Sequence, residues 1–117
     1  MIDQVRPSQL AAWLEAASGY GVPVVLDVRE AVELQMASVT PSGNPAGFEL
    51  VAMPMGTVPA RLAELDPDRP IACLCHHGIR SHRVAAFLAA QGFARVANIA
   101  GGIDAWSREL DASVASY

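Results

Sequence analysis

Residues 75–82, CHHGIRSH, place one cysteine, three histidines, a glycine and an arginine within eight positions. That set supports three chemistries: a thiolate held in a nest of backbone amides, a cysteine paired with a histidine base, or a metal site. The apolar run IACLC (71–75) predicts a strand ending at Cys75. A five-residue turn follows, and a helix is expected to begin near Ser81. Amides of that turn, with the free N–H groups of the helix start, can converge on one point and favour an anion there. Gly78 provides freedom for an unusual backbone angle in mid-turn, and Arg80 adds a fixed positive charge. A thiol so placed is expected to be acidified, since a free cysteine near about 8.5 is mostly protonated at neutral pH. A shift of roughly two units, about 2.7 kcal/mol, makes the thiolate the majority form. Helix-terminus effects of at most ~2 kcal/mol therefore require help from direct N–H bonds or from Arg80. The alternative, an ordinary buried core cysteine, leaves the polar turn unexplained.

His76 and His77 invite a metal, yet neighbours in a tight turn are expected to diverge, and no second Cys/His cluster completes four ligands. His82 falls inside the helix start and is expected to face elsewhere. Neither a metal nor a cofactor is expected. A histidine base for Cys75 stays open, although a loop that ionises the thiol does not need one. His76 and His77 read as rim residues that tune charge near neutral pH, or else as solvated turn residues. Cys73, two residues back, is expected inside the sheet, with a resolving or relay thiol as the rival reading. Asp27 and Arg29 in LDVRE end a neighbouring strand. They either hold the cysteine loop from behind or are solvated at the surface.

The elements around this loop alternate in type. Pro7-Ser8 reads as a helix start, with Leu10, Trp13, Leu14 and Ala17 on one face. VVLDV (24–28) is a continuous apolar run of buried-strand type. REAVELQMA is expected to form a short helix, and residues 40–47 a loop dense in Pro, Gly, Ser and Asn. FELVAMP (48–54) reads as a strand, TVPARLAEL as a second short helix and DPDRP as a turn. From Ser81, Val84, Phe87, Leu88 and Gln91 recur at helical spacing among alanines. ARVANI predicts the last strand and GGIDAWSREL the last helix, with Gly101-Gly102 as its entry turn and Trp106 in the core. DASVASY is expected to fray. Strand–helix alternation predicts an α/β fold, a mostly parallel sheet with helices on both faces. Ligands in such sheets sit beyond the carboxyl ends of the strands, where Cys75 falls.

At 117 residues the chain is expected to be a single domain, residues 1–117. Hydrophobic residues at 52% and charged residues at 17% suffice for a core without disulfides or metal. The net charge of -4, the absence of lysine and the scatter of the arginines argue against nucleic-acid binding. No apolar run reaches the length of a membrane span and MIDQVRPSQL does not read as a signal peptide, so a cytoplasmic location is expected. There the two cysteines are expected to be reduced, and a Cys73–Cys75 bridge would close a small, strained ring.

The segments LDVREAVE, CHHGIRS and GFARVANIAGGIDAW, in this order across nearly the whole chain, resemble a single-domain rhodanese, a thiosulfate sulfurtransferase-type domain. The resemblance implies a five-stranded parallel sheet flanked by helices. It implies that Cys75 accepts a sulfane sulfur as a persulfide and passes it on to a nucleophile. His76, His77, Gly78, Ile79 and Arg80 become the substrate-binding loop, their amides aimed at the outer sulfur and Arg80 attracting thiosulfate. Donors would be thiosulfate or another sulfane-sulfur compound, acceptors cyanide or a thiol, with a protein donor or acceptor if the domain is a sulfur carrier. Residues 35–56, QMASVTPSGNPAGFELVAMPMG, depart from the pattern: the Gly-His-Ile-x-Gly-Ala-like segment of many members is missing. The longer loop there is expected to flank the pocket. Phosphatase or arsenate reductase chemistry uses Cys-x5-Arg loops in related folds. The Cys-x4-Arg loop here is one residue shorter and suits one sulfur better than a tetrahedral oxyanion. A non-catalytic interaction module, the other rival, usually lacks the nucleophile that Cys75 supplies.

Overall fold

The computed structural model describes residues 2–41, 45 and 47–117. Its strands are β1 (Ile2–Val5), β2 (Val24–Asp27), β3 (Glu49–Ala52), β4 (Ile71–Leu74) and β5 (Val96–Ile99). Its α-helices are α1 (Pro7–Ala17), α2 (Ala31–Met36), α3 (Ile79–Ala90) and α4 (Gly102–Glu109). The strands form one sheet in the order β1-β5-β4-β2-β3, with every pair parallel. All residues of β2, β4 and β5 are buried, while the edge strands β1 and β3 are partly exposed. This is why VVLD, IACL and VANI are almost wholly apolar, with no polar alternation: both faces of a central parallel strand are covered.

Alternate strand residues feed two cores. Val25, Leu74, Ala97 and Ile99 pack with Leu10 and Leu14 of α1 and with Ile103 and Trp106 of α4. Val24, Leu26, Cys73 and Val96 pack with Val84, Ala85 and Leu88 of α3 on the opposite face. The expected two-faced α/β architecture is therefore present. β1 completes the sheet beside β5.

TVPARLAEL does not form the expected helix. It holds one 3-10 turn, Leu62–Glu64, and another, Met55–Thr57, ends at its first residue. Pro54 and Pro59 withhold N–H groups from this stretch, and the buried Val58 and Leu65 pin it to the sheet. In the loop expected over 40–47, residues 42–44 and 46 lie outside the described residues. No helix among the described residues is long and apolar enough to cross a membrane.

Candidate active site

Cys75 directly follows β4, and α3 starts four residues later, so the thiol lies between a strand's carboxyl end and a helix N-terminus. Its side chain is almost wholly enclosed, at 1% exposure. The Gly78 N–H donates to Cys75 Sγ at 3.0 Å. The thiol donates to Ser81 Oγ at 3.3 Å, and Ser81 in turn donates to Asn98 Oδ1 at 2.6 Å. Asn98 Nδ2 returns to the Gly78 carbonyl at 3.2 Å and also donates to Gln4 Oε1 at 3.0 Å. Gly78, Cys75, Ser81 and Asn98 thus close a ring of hydrogen bonds around the sulfur. Gly78 has φ 101°, and a Cβ there would lie 3.0 Å from the Gly101 nitrogen. The expected glycine freedom is used.

The loop is also gripped from behind. N–H groups at the start of α4 donate to its carbonyls, Ile103 to Cys75 O at 2.8 Å and Asp104 to His76 O at 3.1 Å. Gly102 permits this approach, since a Cβ on it would sit 2.4 Å from His76 O and 2.5 Å from Cys75 O. One helix start therefore meets the sulfur through the Gly78 N–H, and another holds the backbone that carries it.

Arg80 lies in the first turn of α3 but is not a free cation. Its Nη1 and Nη2 donate to Glu33 Oε1 and Oε2 at 2.6 and 2.8 Å. These bonds raise the Arg80 pKa, and the Cys75 charge adds to the effect. They hold the Glu33 carboxyl down at about 2 against burial, which pushes it up. The Tyr117 hydroxyl donates to Glu33 Oε2 at 2.9 Å, and the Tyr117 ring stacks on His76 at 3.9 Å. The segment expected to fray thus ends against the site.

The two histidines do not diverge. Their rings stack at 3.9 Å, and His76 Nε2 lies 2.9 Å from the Tyr117 main-chain oxygen. His82 does face elsewhere, its Nδ1 2.9 Å from Gln4 Nε2. Among the described residues no three His, Cys, Asp or Glu side chains group as a metal site. The Ile79 side chain is 69% exposed. Cys73 is fully buried, and burial together with neighbouring Cys75 pushes its thiol pKa up.

Asp27 and Arg29 are not surface residues, and their side chains bond no residue of the cysteine loop directly. Both are buried and pair with each other, Arg29 Nε to Asp27 Oδ1 at 2.9 Å and Nη2 to Oδ2 at 2.7 Å. Burial lowers the Arg29 pKa, but the bonds to Asp27 and Tyr117 outweigh it and the net shift is upward. The remaining Arg29 bonds go to Glu33 O, Ala37 O and the Tyr117 hydroxyl. Arg29 braces the segment that carries Glu33.

A sequence profile of the Rhodanese-like domain matches residues 10–109. The chain belongs to the rhodanese-like domain family. It is 32% identical over 85 residues to a sulfurtransferase of Allochromatium vinosum, covering 73% of this chain and 72% of that protein. Over 47 residues it is 45% identical to the thiosulfate sulfurtransferase GlpE of Actinobacillus pleuropneumoniae, 40% of this chain and 44% of the relative. It spans only 19% to 30% of several longer relatives. The fold matches a rhodanese-like domain protein from Staphylococcus aureus at a TM-score of 0.72 and 24% identity, over 99% of each chain. Membership and the named relatives support a sulfurtransferase-type role. Residue patterns alone missed four members of this rhodanese-like site: Glu33, Ser81, Asn98 and Tyr117. Ser81 was visible only as a helix start. Asn98, an isolated amide in the apolar strand VANI, was a legible signal.

Proposed function

We propose that this domain, taken as residues 1–117, transfers sulfane sulfur from thiosulfate or a related donor to cyanide or a thiol through a persulfide on Cys75. The observation that carries the reading is the enclosed Cys75 sulfur, which faces the Gly78 N–H and the start of α3 at the end of a central strand. The thiolate of Cys75 attacks the outer sulfur of the donor. The donor's S–S bond breaks, its electron pair leaves with sulfite or a thiolate, and Cys75 becomes Cys–S–S⁻ or its protonated form. An acceptor nucleophile then takes the outer sulfur and regenerates the Cys75 thiolate. The loop amides of 76–80 would hold the added anionic sulfur, with His76 and His77 forming one wall. Cytoplasmic thiols would keep Cys75 reduced, and a protein could serve as donor or acceptor in place of a small molecule. Intact-mass measurement after donor treatment tests this. Wild type should gain one cyanide-labile sulfur and Cys75→Ser none; equal gain in both, or none in wild type with any donor, overturns the reading.

A further inference from the structure

Arg80 is the cation that an oxyanion donor would seek beside Cys75, yet both Nη groups are engaged by one carboxylate. Two-point contact of this kind is how arginine grips sulfate-like and carboxylate groups, so Glu33 sits where such a ligand would bind. The carboxylate is fixed in turn. The Glu30 N–H donates to Oε1 at 3.1 Å and the Tyr117 hydroxyl to Oε2 at 2.9 Å. Arg29 Nη1 holds both the Glu33 carbonyl and the Tyr117 hydroxyl, at 3.3 and 3.0 Å. Only 15% of the Glu33 side chain is exposed.

We propose that Glu33 is a positioning residue that sets donor choice, occupying the Arg80 fork so that the site disfavours oxyanion donors and favours hydropersulfides. The inference rests on the Cys75 sulfur-transfer reading. A thiosulfate dianion meets an Arg80–Glu33 pair that is already neutral. To grip Arg80 it must displace Glu33 and leave a mostly buried carboxylate without its cation. A hydropersulfide, R–S–SH, carries no oxyanion and does not need the fork. Attack by the Cys75 thiolate on its outer sulfur forms Cys–S–SH, breaks the donor S–S bond and releases R–S⁻. With thiosulfate the same attack forms Cys–S–S⁻ and releases sulfite.

Sulfur loading of the full chain is followed by intact mass with two probes, thiosulfate and 2-hydroxyethyl hydropersulfide. Glu33→Gln should raise kcat/KM for thiosulfate about tenfold, mainly through KM, and change hydropersulfide loading less than about threefold. In an Arg80→Ala background the gain from Glu33→Gln with thiosulfate should shrink to about threefold or less, the share that charge removal alone provides, because the fork it frees is gone. Equal changes with both donors, a fall with thiosulfate, or an undiminished gain without Arg80 would overturn the inference. Should Glu33→Gln fail to fold, Tyr117→Phe removes one support of the carboxylate and should shift donor preference the same way by less; no shift counts against the proposal. A wild type that loads from neither donor refutes sulfur transfer itself, whereas normal loading with unaltered preference in the variants refutes only the role of Glu33.

Discussion

Ser81 carries one hydroxyl proton and has two acceptors within reach. While Cys75 is a thiol, S–H donates to Ser81 Oγ and the hydroxyl donates to Asn98 Oδ1, so each group is satisfied. Ionisation of the thiol changes this. The sulfur becomes a charged acceptor, and charge-assisted bonds are roughly twice as strong as neutral ones. The Ser81 proton then turns to the sulfur, which already accepts from the Gly78 N–H. Asn98 stays anchored through Nδ2 to Gly78 and Gln4. Ser81→Ala should therefore slow sulfur loading about tenfold, the equivalent of about 1.4 kcal/mol and the low end for a bond to a charged group. It should also destabilise the fold by about 1 kcal/mol, because Asn98 Oδ1 is left without its donor. Ser81→Thr, which keeps the hydroxyl, should restore most of the rate. Unchanged loading in Ser81→Ala would remove this residue from the anion's environment.

At the scale of elements, two helix starts do different work on one loop. The α3 N-cap brings the Gly78 N–H to the sulfur, and the α4 start directs its free N–H groups to the carbonyls of Cys75 and His76. Gly102 makes the second contact possible, with φ 60° and no room for a Cβ. Gly102→Ala should cost at least about 2 kcal/mol in urea unfolding and abolish sulfur loading, since relief of the clash must move the loop backbone. Gly56→Ala is the control: a Cβ there meets nothing within 4 Å, and stability and loading should both be unchanged. The elements themselves were largely legible. Continuous apolar runs marked β2, β4 and β5, and the glycine pair marked the start of α4, because these signals are local. The stretch 57–65 was misread since its helical spacing comes from two residues pinned to the core, with prolines nearby. The Gly102 contact could be read as a turn but not as a clamp, since its partners lie more than twenty residues away in sequence. Glu33 and Tyr117 were hidden for the same reason, their partners lying 47 and 84 residues away.

Across the whole molecule, the Arg80–Glu33 pair ties three distant stretches together: the segment after β2, the start of α3 and Tyr117. The expected consequence for the fold is a specific acid sensitivity. Arg80 holds the Glu33 carboxyl at about 2 in the folded protein, against an ordinary value of 4.5. The folded state therefore binds this proton less readily than the unfolded state. The stabilisation is fully present above about 4.5 and is lost as pH falls through about 2. Solvent reaches the Arg80 side, where 31% of the side chain is exposed, so screening leaves about 1–2 kcal/mol. Urea unfolding at pH 7 and pH 3 should show wild type losing more stability on acidification than Glu33→Gln does. Because the amide in that variant cannot titrate, the difference between the two proteins should narrow toward low pH. Parallel losses in both would mean that the pair does not hold these stretches together in solution, and that Glu33 is free to leave Arg80.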